Sequence, residues 1–373
     1  MSRLRQRFEK LLADADIQLD GDRPWDPQIH DERVFQRALA NGTLGIGEAY
    51  MDGWWDCAAI DTLVEKATRY RATAKLASPR DAIDYARAKL TNQQSGRKAW
   101  RVGEHHYDLG NDLYEAMLDK RMIYSCGYWA AATDLDQAQL DKLDLIAAKL
   151  GLEPGMRVLD IGCGWGGAAR HFAETYGCTV VGVTISVEQA ELARRACAGL
   201  PVEIRVADYR DLNEPFDRIY SIGMFEHVGH KNYRTYMKVV RRCLNAPDAL
   251  RLLHTIGRLD SHSRIDPWIA KYIFPNSMLP SAALISKAHE RVLVLEDWHS
   301  FGPDYDRTLM AWHANINAAW DSLPPRYDER FRRMWNFYLL ASAGAFRARS
   351  NQLWQVVLSR DGLPDTYRPA RVR

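Results

Sequence analysis

Two stretches of the chain gather residues able to do chemistry. In "VLDIGCGWGG", residues 158–167, an apolar run ends in a glycine-rich turn, and the helix-like "AARHFAETYG" follows. Glycines let a backbone turn tightly and approach a ligand closely. Gly162, Gly164 and Gly167 satisfy the GxGxxG of dinucleotide sites, while Gly162, Gly164 and Gly166 equally satisfy the GxGxG of S-adenosylmethionine enzymes. The glycines alone leave both tenants open. The acids favour the methyl donor. Asp160 stands before the first glycine, and Asp208 follows a later apolar run in "ADYRDL", where adenosine could be read. A dinucleotide site wants an acid about 20 residues beyond the glycines to hold the ribose, and this chain has Thr184 there.

The second stretch is "SIGMFEHVGHKNY", residues 221–233, which reads as a strand end closed by Glu226 and His227. His227 follows Glu226 directly and should point elsewhere. The next apolar run ends in "LLHTIG", so His254, 28 positions on, can meet Glu226 across a sheet. A carboxylate buried at a strand end costs several kcal/mol unless partnered, which argues for a built site. His254 also admits the plainer reading of a core histidine satisfied by a backbone carbonyl.

The elements that must position these residues follow from periodicity. Short apolar runs at 157–162, 179–185, 202–207, 217–223 and 249–257 alternate with helix-like segments, which predicts an α/β fold with a doubly wound, mainly parallel sheet. Ligands of such sheets lie outside the carboxyl ends of the strands. Before them, "QAQLDKLDLIAAKLGL" carries Leu140, Leu143, Ala147 and Leu150 at helical spacing and stops at Gly151. Residues 1 to about 60 read as a compact, mostly helical module with glycine-rich turns. Between Asp61 and Arg101 ten Lys or Arg stand against four acids, interleaved with Leu63, Val64, Tyr70, Leu76, Ile83, Tyr85 and Leu90. That pattern suits an anionic membrane surface, and equally an ordinary solvated helix face. The polar "TNQQSGRKAW", 91–100, reads as a linker.

Composition bounds the classes. A chain of 373 residues with 47% apolar and 26% charged residues is globular and long enough for two or three domains. A net charge of +2 gives no global field for nucleic acid. No apolar run approaches the roughly 18–20 residues of a membrane span, and "MSRLRQRFEK" lacks an apolar leader core, so the expectation is a soluble, intracellular chain. Six cysteines without CxxC or zinc spacing predict reduced thiols and no metal.

Taken together with "LGIGEAYMDGWWDC", "EHHYDLGNDLY", "YSCGYW", "DPWIAKYIFPN", "EDWHSFGPDYDRTLMAW" and "GAFRARSNQLWQVVLSR", these stretches run in order from about residue 40 to 360 and resemble the cyclopropane-fatty-acyl-phospholipid synthases. The resemblance implies a class I S-adenosylmethionine methyltransferase domain at 101–373, Rossmann-like with a seven-stranded mixed sheet. It also implies a small helical, lipid-docking N-terminal domain at 1–75 and a basic linker at 76–100. The activity implied is methyl transfer from S-adenosylmethionine to a cis double bond of a phospholipid acyl chain, then ring closure with bicarbonate as base. The bicarbonate positions correspond to Cys126, Glu226, His254, Ile256 and Tyr305. Tyr124, Ser125, Thr184, Gln189 and Tyr209 join Asp160, Asp208 and the glycines at the methyl donor. Tyr124, Tyr128, Trp129, Phe225, Trp268 and Tyr272 could face a carbocation, or simply pack a core. A homodimer is implied, cytoplasmic and peripheral on the inner membrane face, with no nucleic-acid partner. Sister enzymes give methyl-branched, methylene or hydroxylated chains. Two departures from the family pattern stand out: His230 where proline is usual, and Arg251 on a central strand, expected at a solvent-facing edge or in a salt bridge.

Overall fold

The computed structural model describes residues 3–70, 110–262 and 265–371; the basic stretch from 71, the linker expected at 76–100 and the boundaries expected at 75 and 100 lie outside them. The chain divides into two compact units. The first takes Met1–Asn92, His262–Asn276 and Tyr305–Asn351, the second Gln93–Ser261, Ser277–Asp304 and Gln352–Arg373.

In the first unit, helices Arg3–Ala13, Arg33–Met51 and Ile60–Arg69 accompany an antiparallel pair, β1 (Gln28–Ile29) with β2 (Trp55–Asp56). Helices Pro267–Tyr272 and Glu329–Arg347, with Pro303–Ala319 from Tyr305 onward, complete it. Its core is aromatic: Tyr50 and Trp55 pack on Phe337, and Trp268 meets Phe337 edge-on at 4.9 Å. Gly344 permits close helix contact, because a β-carbon there would lie 2.3 Å from the Asp61 carbonyl oxygen. Arg347 then ties the contact, donating to Asp61 at 2.6 Å and to Asp306 at 2.8 Å.

The second unit is built on one sheet of seven strands: β3 (Arg157–Ile161), β4 (Thr179–Thr184), β5 (Val202–Val206), β6 (Arg218–Ile222), β7 (Leu250–Arg258), β8 (Val294–Ser300) and β9 (Asn351–Ser359). Their order is β5-β4-β3-β6-β7-β9-β8. β3 to β7 pair in parallel and β8 with β9 antiparallel, so the sheet is mixed. The parallel strands coincide with the five apolar runs because both faces of a parallel sheet are buried. Successive side chains point to opposite faces, and the core divides accordingly. Leu159, Val181 and Leu253 pack with helices Tyr233–Cys243 and Ala282–His289, while Val158, Val180 and Leu252 pack with helices Leu135–Leu150 and Gly167–Tyr176. Three layers result.

Helix Leu135–Leu150 starts on Asp134, which accepts from Gln137 N, and stops at Gly151 in the left-handed region at φ 57°. Arg251 overturns its expectation. It is fully buried, away from any solvent edge and with no salt bridge among the described residues: its Nη2 donates to Tyr236 Oη at 2.8 Å and its guanidinium lies over the Tyr236 ring. The facing layer supplies a phenol where an acid was expected.

Candidate active site

The parallel strands end on one edge, and the chemically capable residues gather there. The turn after β3 holds Gly162, Gly164 and Gly166 at φ 91°, 54° and 83°, conformations that side-chain-bearing residues rarely adopt. A β-carbon on Gly162 would also meet the Met224 side chain at 2.7 Å. Gly167 has a different local reason: its α-carbon faces the Arg121 carbonyl, 2.1 Å from any β-carbon. Asp160, near the end of β3, is buried and accepts from Tyr220 Oη at 2.9 Å; burial pushes its carboxyl up to about 7. At the end of β4, Thr184 Oγ1 donates to Gln189 Oε1 at 3.3 Å, and Ser186 caps the helix that presents Gln189. After β5, Asp208 caps the Tyr209–Asp211 turn and pairs with Arg210 at 2.5 Å.

The "YSCGYW" loop is held from beneath by helix Leu135–Leu150. Gln139 Nε2 donates to the Ser125 carbonyl and the fully buried Lys142 Nζ to Ser125 Oγ, both at 2.8 Å. Tyr124 stacks edge-on against Tyr114, which meets Trp165 at 4.9 Å. Cys126 is buried, with its thiol on the Gly127 carbonyl at 3.1 Å.

His254 was expected at a strand end but lies midway along β7, level with the end of β6, while Glu226 lies in the short turn that follows β6. His254 on β7 is in register with Ile222 on β6, and its carbonyl accepts from Gly223 N at 3.0 Å. Glu226 sits one turn beyond β6, 5% exposed, and Oε1 accepts from Ile256 N at 2.7 Å. Burial pushes its carboxyl up to about 7. His254 is 1% exposed, and burial, then the charges of Lys142 and Lys149, hold its pKa well below the ordinary value. Its Nδ1 lies 3.3 Å from Gln355 Nε2. Glu226 Oε2 and His254 Nε2 are among twelve buried side-chain polar atoms that have no hydrogen-bond partner among the described residues. A native fold rarely leaves such atoms orphaned without a use for them.

Tyr305 belongs to the first unit, buried against Trp312 and Phe346. Trp268 and Tyr272 are also in that unit, the Tyr272 hydroxyl donating to Glu48. Phe225 is packing: it is fully buried and stacks on Tyr233 at 4.1 Å. Sequence reasoning did not single out Gln139, Lys142, Lys149, Tyr220 or Gln355. Their only local signal is a polar side chain inside an otherwise buried helix or strand.

The seven-stranded order with an antiparallel β8–β9 pair and a glycine turn after the central strand is that of a class I S-adenosylmethionine-dependent methyltransferase. A solved coclaurine N-methyltransferase bound to N-methylheliamine and SAH shares this fold at 21% identity and TM-score 0.70, over 84% of this chain and 99% of its own. Residues 94–356 match the family described as mycolic acid cyclopropane synthetase. A cyclopropane-fatty-acyl-phospholipid synthase of Escherichia coli K12 is 53% identical over 97% of this chain and 94% of its own length. A mycolic acid cyclopropane synthase solved with SAH and CTAB is 33% identical, with TM-score 0.65 over 70% of this chain and 98% of its own. The chain therefore belongs to the mycolic acid cyclopropane synthetase family, and its activity is S-adenosylmethionine-dependent methyl transfer.

Proposed function

We propose that the chain methylates a cis double bond in an acyl chain of a membrane phospholipid and closes a cyclopropane ring, with bicarbonate as proton acceptor. The observation that carries this reading is that Glu226 Oε2 and His254 Nε2, on adjacent elements of the sheet, are both buried and without a hydrogen-bond partner among the described residues. Similarity to the Escherichia coli cyclopropane-fatty-acyl-phospholipid synthase supplies the substrate class.

S-adenosylmethionine, when bound, supplies an electrophilic methyl group; Tyr124, Ser125, Asp160, the glycine turn, Thr184, Gln189, Asp208 and Tyr209 are the residues proposed to hold it. An alkene is a weak nucleophile, so these residues act mainly by positioning, which can contribute several kcal/mol. Methyl addition leaves a carbocation on the acyl chain, and water would trap it as an alcohol. The buried surroundings of Glu226, His254 and Cys126 suit a step from which water is excluded. Ring closure then needs a proton taken from the new methyl carbon, whose C–H pair forms the last ring bond.

Bicarbonate would supply a small base that needs no side-chain reach. It carries a hydroxyl that a carboxylate oxygen can accept and anionic oxygens that an N–H can satisfy, which suits a carboxylate oxygen and an imidazole nitrogen that have no partner among the described residues. Glu226 is held by Ile256 N, so its second oxygen has a fixed direction. Cys126 is proposed as part of the pocket wall and not as a nucleophile, because no covalent enzyme intermediate is required.

Among the described residues no helix is long and apolar enough to cross a membrane, so docking on the lipid surface is part of the proposal, as is a homodimer. Incubation with S-adenosylmethionine and vesicles of a cis-monounsaturated phospholipid, followed by proton NMR of the lipid, tests the reaction. Loss of olefinic signals with new upfield ring-methylene signals supports it. Methyl-branched, methylene or hydroxylated chains would assign a sister lipid methyltransferase activity, and unchanged lipid would refute the substrate.

A further inference from the structure

Helix Leu135–Leu150 carries a second buried lysine, Lys149, one face-repeat beyond Gln139 and Lys142 and 1% exposed. Its Nζ donates to Gln355 Oε1 on β9 at 2.8 Å and lies 3.0 Å from His299 Nδ1 on β8. Gln355 is fully buried, and its other amide atom, Nε2, lies 3.3 Å from His254 Nδ1. As an ammonium, with the Asp297 carboxylate 3.7 Å away, Lys149 can only donate, so the amide atom facing it is the oxygen. The amide flip is thereby fixed. Gln355 Nε2 can then only donate to His254, so Nδ1 must accept. In a neutral imidazole the proton is left on Nε2, which has no partner among the described residues.

We infer that Lys149 and Gln355 are positioning residues for the reaction, a relay that fixes His254 as the Nε2–H tautomer and presents that N–H as a donor to the anion at the active site. The tautomer follows from the hydrogen bonds of a charged Lys149; its use rests on the bicarbonate reading proposed above. A buried imidazolium is disfavoured here, since burial and the two nearby lysines both oppose a positive charge. His254 is thus a donor through the cycle and does not itself take up the substrate proton.

The test is histidine-selective nitrogen-15 labelling of the full chain, with long-range proton–nitrogen correlation and assignment through the His254→Gln variant. The wild type is expected to show His254 protonated at Nε2 alone; protonation at Nδ1, or at both nitrogens, overturns the relay. Gln355→Glu keeps the shape and the Lys149 contact but offers His254 an acceptor, so its Nδ1 should gain the proton. The apparent KM for bicarbonate should then rise on the order of 10- to 100-fold, the range for a lost hydrogen bond to a charged group, with S-adenosylmethionine affinity unchanged. A merely structural Gln355 would leave both the tautomer and that KM unmoved. Lys149→Met frees the amide to flip and should give a mixed tautomer; an unmixed Nε2–H signal there removes Lys149 from the relay. If the wild-type rate ignores bicarbonate while the tautomer is as inferred, the base assignment fails and the tautomer assignment stands.

Discussion

Glu226 offers the most quantitative check, because its carboxyl is pushed by burial from an ordinary 4.5 up to about 7. Between those values the folded chain keeps a proton that the unfolded chain has released. Stability is therefore fully present below pH 4.5, falls as pH rises toward 7 and is level above it. The gap corresponds to about 3 kcal/mol. Glu226→Gln is close in shape and keeps an acceptor for Ile256 N–H, but it cannot titrate. Any cost of its new amide hydrogens is the same at every pH. The stability of the variant relative to wild type should thus improve by about 3 kcal/mol between pH 4.5 and pH 8. Paired urea unfolding curves at a series of pH values, in buffers freed of carbon dioxide, measure this difference. Parallel curves for the two proteins would refute the claim that Glu226 is buried without a charge partner.

Further outcomes follow from the same geometry. Lys142→Met removes the donor to Ser125 Oγ and should weaken S-adenosylmethionine binding about 10-fold by calorimetry without lowering the thermal midpoint; unchanged affinity would remove Lys142 from the support of that loop. Gly162→Ala puts a β-carbon at φ 91° against Met224 and should destabilise by about 1–3 kcal/mol in thermal unfolding, whereas a neutral result would mean the turn has an easy alternative. Arg251→Met replaces a buried guanidinium that has a phenol as its closest polar partner and should be neutral or stabilising by about 1–4 kcal/mol; a marked fall in the melting temperature would show a counter-charge or bound group at that position.

How much of this was legible in the sequence depended on the kind of contact. The five parallel strands appeared as apolar runs because both faces are buried, and their glycine boundaries survive as turns at positive φ. Glu226 and His254 could be brought near the same part of the sheet because β6 and β7 are consecutive and adjacent, although His254 lies midway along β7 and not at its end. β9 gave no such run on its own residues: Gln352, Gln355 and Ser359 are polar and yet buried. β8 is an edge strand with Glu296, Asp297 and His299 and a register shift between Leu295 and Asp297. Both were implied only by family resemblance. The Lys149–Gln355–His254 chain joins residues 206 and 101 positions apart, and no local pattern encodes such a contact. Arg251 misled for the opposite reason, because a charged residue on a strand ordinarily signals solvent or an acid, and here a tyrosine one helix away receives it.

The most direct test of the central claim is the rate of ring formation on cis-monounsaturated phospholipid vesicles with S-adenosylmethionine, measured in buffer stripped of carbon dioxide and again as bicarbonate is added back. The account predicts a rate that rises saturably with bicarbonate in the wild type and shows little response in Glu226→Gln. A wild-type rate that is flat across the titration would contradict the role given to Glu226 and His254.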